Sequence, residues 1–372
     1  MEPPHRVLYT VRQKACKAAR KPQRSLDRCE EKMPEIEIPQ LVMVGTLSES
    51  YTISPNDEIF LRLPGGSALT SAVGARVWTP RPVGLVARVG ENYPQMRLEE
   101  MRQRGIDTAG VRVLPGSYPC ASFRWYRSWD EHSERDPVRQ FGRLGAPLPK
   151  DLAHYTSPEE GEQSRESFPP TAVRPADFPA DYRGVQGVHL APGHLITHLT
   201  LPVSLRQAGL PTLTLDPSAR YMEPSLLREL PVLLHGVTAL IVAERKARVL
   251  FREMTRDLQE MAERFAEAGP QVVVIKRGPL GCWLFDRQSG KHYQLPAYPV
   301  SSPRNPTGVG DAFSGGFLAG WCENLSPVEA ALRGSVSASL AIEASSPWEA
   351  LQRSAGLVEA RLGFLRSRVV AQ

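Results

Sequence analysis

The sequence predicts an α/β fold with a mainly parallel central sheet covered by helices on both faces. Short apolar segments of strand length alternate with helical segments through most of the 372 residues. Helical segments of ten residues or more are long enough for the right-handed crossovers that join parallel strands. With 41% hydrophobic residues and both charge signs interspersed, the chain can bury one large core or two smaller ones.

The N-terminal half supplies two strand–helix units. The segment "IPQLVMVG" (38–45) predicts a buried strand that ends in glycine, and "GGSALTSAVGARVW" (65–78) predicts a glycine turn followed by a helix. The segment "RPVGLVARVG" (81–90) predicts the next strand, and "YPQMRLEEMRQRG" (93–105) a helix closed by its final glycine. Repeated units of this kind indicate a parallel sheet.

The C-terminal half supplies the rest of the sheet and two interruptions. The predicted strands are 184–191, 211–217, 237–244, 271–278 and 281–286, with a helix at 254–269. Residues 117–129 are rich in aromatic side chains, and apolar and polar residues partly alternate. This pattern is typical of a half-exposed strand with one face covering another part of the protein. Residues 146–184 are rich in proline and charge and predict an insertion, which either shields a site or is a surface excursion.

Charge and composition exclude several classes of protein. The formal charge of +5 is concentrated at the N-terminus, where residues 1–26 carry seven basic side chains and one acidic one. The rest of the chain is nearly neutral, so nucleic acid is not an expected partner. The longest apolar stretch, 230–243, is shorter than the roughly 20 residues of a membrane span. Five scattered cysteines without CxxC spacing indicate neither a disulfide framework nor a zinc site.

The basic N-terminus leaves two interpretations open. Residues 1–37 are predicted to be a disordered, solvated tail, and a cytoplasmic location is expected. Alternatively, a basic and acid-poor N-terminus can be an organellar targeting peptide, although this one has few serines and a weak apolar face.

A glycine-rich segment near the C-terminus, "NPTGVGDAFSGGFLAGW" (305–321), predicts an anion site at the start of a helix. Unpaired amides and the positive end of the helix dipole favour phosphate there. Asp311 would lie in the first turn, where a simple helix cap is the alternative role. A dinucleotide-binding fingerprint is disfavoured, because it would follow the first strand and would have glycine in place of Phe313. Gly315 and Gly316 indicate that a nucleotide or a strand approaches the helix closely, or that the helix packs on the sheet.

These residues resemble the PfkB/ribokinase family of carbohydrate and nucleoside kinases. The segment 305–343 resembles the family's C-terminal DTxGAGD signature, and "VMVG" with "GGSALTSAVGARVW" resembles its N-terminal glycine signature. "LTLDPSAR" resembles its Asp-Pro-x-x-Arg strand end, and "VVVIKRGPLGCWLFD" resembles the strand pair before its nucleotide loop. The resemblance implies a ribokinase-like domain over 38–366 with a small β lid, formed by about 46–64 and 112–130.

The resemblance also implies an activity and a set of site residues. Phosphate would move from ATP, with Mg²⁺, to a hydroxyl of a sugar-like or nucleoside-like substrate. The implied catalytic base is Asp311, and the implied phosphate contacts are Thr307, Gly308, Val309, Gly310 and Arg220. The implied substrate contacts are Ser50, Gly65, Gly66 and Thr70, and Glu244 would organise Mg²⁺ through water. We expect the helix start to lower the pKa of Asp311, which would make it a weak base that accepts the proton late.

Several of these positions depart from the family pattern. Asn305 stands where the family has an aspartate near a monovalent-cation site, and Thr70 and Ser50 replace an asparagine and a sugar-binding aspartate. Arg220 can contact phosphate or pair with a neighbouring acid. The departures keep a second hypothesis open, a non-catalytic relative that binds a nucleotide or metabolite and acts as a regulatory protein. Apart from a small molecule, the expected partner is a second copy of the chain, joined through the lid.

The tail generates a stability prediction. A chain that starts at Ile36 should melt within about 4 °C of the full chain, because the residues before it have low apolar periodicity and a net positive charge. Differential scanning calorimetry on both chains makes the comparison. A decrease of more than about 8 °C would show that the tail docks on the folded body.

Overall fold

The computed structural model describes residues 38–157, 163–324 and 326–371. The predictions for the tail over 1–37 lie outside these residues. No helix in the described segments combines the length and apolar character needed to cross a bilayer.

The described strands form a large sheet and a small one. In chain order they are β1 (Leu41–Val44), β2 (Ser48–Ile53), β3 (Ile59–Gly65), β4 (Val83–Gly90), β5 (Ile106–Leu114), β6 (Ala121–Tyr126), β7 (His132–Ser133), β8 (Gly187–Leu190), β9 (Thr212–Leu215), β10 (Ala239–Ala243), β11 (Val272–Lys276), β12 (Cys282–Asp286), β13 (Lys291–Leu295) and β14 (Val370–Ala371). The large sheet has the order β14-β13-β12-β11-β10-β9-β8-β1-β4-β5, and the small sheet has the order β3-β2-β6-β7.

The helices account for most of the remaining described chain. They are α1 (Ser67–Arg76), α2 (Gln95–Gln103), α3 (Pro137–Arg143), α4 (Leu195–Gln207), α5 (Leu230–Leu233), α6 (Glu244–Leu250), α7 (Leu258–Glu267), α8 (Val309–Cys322), α9 (Pro327–Glu343), α10 (Pro347–Leu351) and α11 (Ala355–Arg366). The predicted insertion contains only short 3₁₀ turns, at 150–152, 175–177 and 180–184, in the part that is described.

The topology of the large sheet confirms the predicted fold class. Strands β5, β4, β1, β8, β9, β10 and β11 pair in parallel, and β12, β13 and β14 complete the sheet in antiparallel pairing. Strand β1 lies between β4 and β8, so the chain builds the sheet outward from β1 first on one side and then on the other. Ligands of open α/β sheets bind at such a switch point, beyond the carboxyl ends of the strands. The β14 strand extends the domain past the predicted boundary at residue 366.

Apolar side chains on the two faces of the sheet form two cores. Strand β10 shows the division, because Ile241 packs in one core and Leu240 in the other. The first core includes side chains of α1, α8, α9 and α11, and the second includes those of α4, α6 and α7. Burial on both faces explains why the strands are continuous apolar segments rather than alternating ones.

The glycines of α8 allow two neighbouring helices to touch its backbone. A Cβ atom at Gly315 would lie 1.8 Å from the carbonyl oxygen of Ser71 in α1, and one at Gly316 would lie 2.4 Å from Ser337 Oγ in α9. In the opposite direction, a Cβ at Gly74 of α1 would lie 2.0 Å from the Ala312 carbonyl oxygen. The expectation of a nucleotide, a strand or the sheet against these glycines was therefore wrong, since the close neighbours are helices.

The small sheet, β2, β3, β6 and β7, corresponds to the predicted lid. Its apolar face is covered within the chain, because Tyr51 and Phe123 form a small core with Phe141 of α3 and Leu152. The opposite face is polar, and alternation along β2 and β6 brings Ser48 close to Ser122, with 3.1 Å between their hydroxyl oxygens. The polar face of the lid is therefore the one available to a ligand.

The helix contact predicts opposite effects of one substitution at two positions. Gly315→Ala should lower the melting temperature by several degrees, because the added methyl overlaps backbone and overpacking costs about 1–3 kcal/mol. Gly363→Ala is the matched control, since Gly363 lies on the exposed side of α11 with nothing within 4 Å of its Cβ position.

Alanine at 363 should leave the melting temperature unchanged or raise it, because alanine favours a helix by up to about 1 kcal/mol over glycine. Thermal denaturation followed by circular dichroism measures both variants. Equal effects at the two positions would contradict the close α1–α8 contact.

Candidate functional site

The start of α8 is shaped by a glycine in a left-handed conformation. Gly308 has φ 78°, which side chains rarely adopt, and it is the residue before the helix. The preceding loop is held by Asn305, whose Oδ1 accepts a hydrogen bond of 3.0 Å from the Thr307 amide. The first amides of the helix have no partner within the helix and point to the carboxyl side of the sheet. Asn305, Thr307 and Gly308 therefore shape the loop before α8, and its use as an anion site stays a prediction.

Asp311 lies in the first turn of α8 and is held from α1. The hydroxyl of Thr70 lies 3.1 Å from Asp311 Oδ2 and donates to it. Space for Thr70 requires glycine at 308, since a Cβ there would lie 2.5 Å from Thr70 Cγ2. Two sequence motifs separated by more than 200 residues thus form one side of the site.

The pKa of Asp311 is raised, and the expectation of a lowered value was wrong. Burial raises it most, and the nearby Asp216 carboxylate raises it further. Lys276, Arg124 and Lys246 act in the opposite direction without reversing the shift. Loss of hydration therefore outweighs the field of the helix start, and Asp311 is a stronger base than an exposed aspartate.

Two lysines share one buried carboxylate beside Asp311. Asp216, directly after β9, is 2% exposed and lies 2.6 Å from the Nζ atoms of both Lys246 and Lys276. Lys276 also donates to the Gly310 carbonyl oxygen at 2.9 Å, which attaches it to the first turn of α8. Burial alone would raise the pKa of Asp216, but the two ammonium groups outweigh it and hold the pKa below its ordinary value.

The lid contributes a second group of charges above Asp311. Glu134 accepts hydrogen bonds from Arg124 Nε at 3.1 Å and from Arg220 Nη2 at 2.6 Å. Burial would raise the pKa of Glu134, but the two guanidinium groups hold it below its ordinary value. Arg124 is close enough to Asp311 to act on its pKa. Arg220 therefore joins the main domain to the lid.

Hydroxyl groups also connect the lid with the α8 loop. The Thr307 hydroxyl oxygen lies 2.8 Å from that of Thr52 in β2 and donates to Tyr126 of β6 at 3.3 Å. Thr52 and Arg124 are paired neighbours on β2 and β6. The polar face of the lid thus lies over the start of α8.

Several predicted site residues line one cleft between the lid and α8. They are Ser50, Gly65, Thr70, Thr307 and Gly308. The opposite wall carries methyl groups of Ala341, Ala344 and Ala350. Gly66 lies behind this cleft with φ 101°, where a Cβ would be 2.2 Å from the Thr46 carbonyl oxygen.

The structure surrounds Glu244 with cations. Its Oε1 accepts from Arg248 Nε at 2.7 Å, and its Oε2 accepts from Arg277 Nε at 2.9 Å. Both oxygens are thus engaged by guanidinium groups. Among the described residues, no three Asp, Glu, His or Cys side chains cluster closely enough to hold a metal ion.

Sequence reasoning missed four charged residues of this site: Arg124, Glu134, Lys246 and Lys276. Lys276 lies near the end of a predicted strand, and Lys246 lies just after another, so both positions at the carboxyl edge of the sheet could have been examined as ligand contacts. Arg124 could have been found from the alternation of β6, which places it opposite the buried Phe123. No sequence pattern around Glu134 indicated that it belongs to the site.

Comparisons with known proteins show what this chain is similar to. Residues 205–352 match the pfkB family of carbohydrate kinases. A cytidine kinase from Thermococcus kodakarensis is 27% identical over 297 residues, which is 79% of this chain and 92% of that protein.

Solved structures share the fold. A nucleoside kinase from Burkholderia thailandensis, in complex with inosine, has a TM-score of 0.62 at 18% identity over 87% of this chain and 96% of that one. The E. coli protein described as Ribokinase II, in complex with ATP and Mg²⁺, has a TM-score of 0.62 at 16% identity over 88% of this chain and 99% of that one.

The raised pKa of Asp311 predicts a pH-dependent effect on stability. A carboxyl group whose pKa is higher in the folded state loses stability as pH rises, because the unfolded chain ionises first. Asp311→Asn removes this loss. The melting temperature of the variant minus that of the wild type should therefore increase between about pH 4 and about pH 7.5.

Asp257→Asn is the matched control for the pH series, since Asp257 caps the start of α7 through the Gln259 amide. Like Asp311→Asn, the Asp257→Asn variant replaces an aspartate at the start of a helix. Its difference from wild type should not show the same increase. A difference for Asp311→Asn that stays constant or shrinks toward pH 7.5 would contradict the raised pKa.

Proposed function

We propose, from the match of residues 205–352 to the pfkB family of carbohydrate kinases, that the chain is an ATP-dependent phosphotransferase acting on an alcohol group and that Asp311 is its catalytic base. The acceptor is a sugar-like or nucleoside-like molecule. One observation carries the proposal: a carboxylate of raised pKa lies at the glycine-rich start of α8, next to a cleft under the polar face of the lid.

The reaction follows from the positions of these groups. The acceptor hydroxyl lies next to Asp311, which accepts its proton as the oxygen bonds to the γ-phosphorus of ATP. The bond from that phosphorus to the bridging oxygen breaks, and ADP leaves with the electron pair. Amides of Gly308, Val309 and Gly310 stabilise the charge on the transferred phosphoryl group, because they are already oriented at the helix start. The loose transition state makes positioning the main contribution.

The acceptor is held by the polar face of the lid. Ser50, Gly65, Gly66 and Thr70 stay proposed contacts, and Glu134 adds a carboxylate that is already oriented by Arg124 and Arg220. A carboxylate accepts hydrogen bonds from neighbouring hydroxyls of a ribose or another sugar. Glu134 can thus supply the acid that Ser50 lacks. The cytidine kinase relative supports a nucleoside-like acceptor.

The residues of this site do not fit a magnesium ion held by the protein itself. Glu244 is engaged by two arginines, and the carboxylates of Asp216 and Asp311 lie among cations rather than open to a metal. We propose that Mg²⁺ enters with ATP, as part of the substrate. The complex of ATP and Mg²⁺ with Ribokinase II supports that form of the nucleotide.

A dimer formed through the lid would have to use strand edges or polar surface. The apolar face of the lid is already covered by Phe141 and Leu152 of the same chain. Strands β3 and β7 lie at the edges of the small sheet. We therefore propose that a dimer forms by strand pairing at one of these edges.

Asp311→Asn tests the proposed base. Asparagine has nearly the same volume, and its amide oxygen can still accept the hydrogen bond from Thr70, so the fold should persist. Turnover should fall by at least about a hundredfold, since a general base contributes about 10²–10⁴ in rate. Affinity for MgATP, measured by isothermal titration calorimetry, should be unchanged or slightly higher because a negative charge has been removed.

The Asp257→Asn variant should retain wild-type turnover, since its side chain caps α7 outside the site. A different outcome would favour the non-catalytic hypothesis. In that outcome, the wild-type protein transfers no phosphate to any sugar or nucleoside, and the Asp311→Asn variant melts at a lower temperature than the wild type.

A further inference from the structure

Strand β3 of the lid has one residue more than its partner strand β2 at a single point. Thr52 of β2 pairs with Phe60 of β3. Two positions earlier on β2, Ser50 pairs with Leu63, which lies three positions further along β3. The additional residue makes a β-bulge at 61–62, and a bulge of this kind bends a strand and re-aims the side chains that follow it.

The bulge determines which face of the lid the later residues of β3 occupy. Side chains alternate between the two faces of a strand, so one extra residue moves every later side chain to the opposite face. Leu63 is thereby brought to the same face as Ser50, and both line the cleft. Without the extra residue, Leu63 would lie on the face of Ile59, which packs against the small apolar core of the lid. The cleft wall therefore depends on the bulge.

Arg97 of α2 holds the backbone of the bulge. Its Nη2 donates a hydrogen bond of 2.6 Å to the carbonyl oxygen of Arg62, whose φ of 50° is uncommon for a residue other than glycine. Arg97 Nε donates to Glu49 Oε1 at 2.8 Å, and Arg62 Nε donates to Glu49 Oε2 at 3.3 Å. Glu49 is only 3% exposed, so its carboxylate holds both guanidinium groups at a protected position of the lid.

The insertion also contacts the bulge. The carboxylate of Asp151 lies 3.5 Å from Arg62 Nε and accepts a hydrogen bond from the hydroxyl of Tyr51, the β2 residue opposite the bulge. Contacts from α2, from β2 and from the insertion therefore meet at Arg62. Together they oppose a slip of β3 past β2, which would return Leu63 to the other face.

We propose that Arg97 is a positioning residue that keeps the β3 wall of the cleft in register for the acceptor. The inference rests on the proposed function and adds to it a residue of α2 that determines acceptor binding. Arg97 acts through Arg62 on Leu63, which lines the cleft. The loop before α8 is held separately by Asn305, so loss of the Arg97 contacts should change acceptor binding and leave nucleotide binding intact.

Hydrogen–deuterium exchange on the full chain tests the clamp without requiring turnover. Arg97→Met removes the guanidinium and keeps an unbranched apolar side chain. Amide exchange in residues 59–66 should become about tenfold faster, because charge-assisted hydrogen bonds that hold this segment are lost. Exchange in β10 and β11 should stay as in the wild type. Arg97→Lys should give an intermediate rate, since an ammonium can pair with Glu49 but lacks the planar fork of a guanidinium.

Arg102→Met is the matched control, because Arg102 is exposed on the same helix and donates to Thr108 of β5 at 2.8 Å. Its exchange in residues 59–66 should equal that of the wild type. Unchanged exchange of this segment in Arg97→Met would overturn the proposal. Equally faster exchange in the lid and in the large sheet would also overturn it, because that result indicates a general loss of stability.

Steady-state kinetics test the effect on the acceptor, with ribose, cytidine and inosine as probes. Arg97→Met should raise KM for the acceptor by about tenfold, while KM for MgATP stays within about twofold and kcat changes less than the acceptor KM. Arg97→Lys should recover part of the change, and Arg102→Met should behave as the wild type. Equal increases in both KM values would contradict a role confined to the acceptor.

The two levels of proposal fail differently. Wild type that phosphorylates no sugar or nucleoside refutes the kinase function, and the exchange of residues 59–66 then still decides whether Arg97 pins the cleft wall. Wild-type turnover combined with unchanged exchange and unchanged acceptor KM in Arg97→Met refutes the positioning role alone.

Discussion

The contact between the backbones of α1 and α8 is the constraint on which the site depends. Gly315 and Gly74 let the two helices approach until backbone atoms meet, where any side chain would force them apart. Because the helices are locked at this distance, Thr70 reaches Asp311 with its hydroxyl and also fits against Gly308. The carboxylate of Asp311, the proposed catalytic base, is therefore placed by rigid helix packing, which positions a side chain more accurately than a loop does.

Two carboxylates in the same site, the buried Asp216 and the half-buried Asp311, have pKa values shifted in opposite directions. Asp216 and Asp311 both lose hydration, so burial raises the pKa of each. Asp216 makes direct hydrogen bonds to two ammonium groups and stays ionised, whereas Asp311 accepts a hydrogen bond from the neutral hydroxyl of Thr70. Separation of pKa values in this way assigns different roles to chemically identical groups. Asp216 organises positive charge, and Asp311 is suited to exchange a proton.

The sequence predicted the sheet and the start of α8 because both depend on local patterns. Apolar segments, helix ends and glycines are visible within a few residues of the chain. The charged groups of the site depend on contacts between distant residues: Lys246 and Lys276 lie 30 and 60 positions from Asp216, and Arg220 lies 86 positions from Glu134. The pKa of Asp311 was misjudged for the same reason, since burial is a property of the assembled fold. The glycines of α8 indicated a close neighbour without identifying it.

The alanine wall of the cleft has a consequence for how this protein can change. Ala341, Ala344 and Ala350 belong to the segment from α9 to α10, whereas the charged groups come from the lid, the strand ends and α8. Methyl groups set the width of the cleft there, and a larger side chain at Ala344 or Ala350 would narrow it or disturb the packing, since both residues are buried. The width of the cleft is thus set by residues other than those that carry its charged groups. Selection can alter substrate range by steps in one short segment while the phosphate-transfer machinery is left intact.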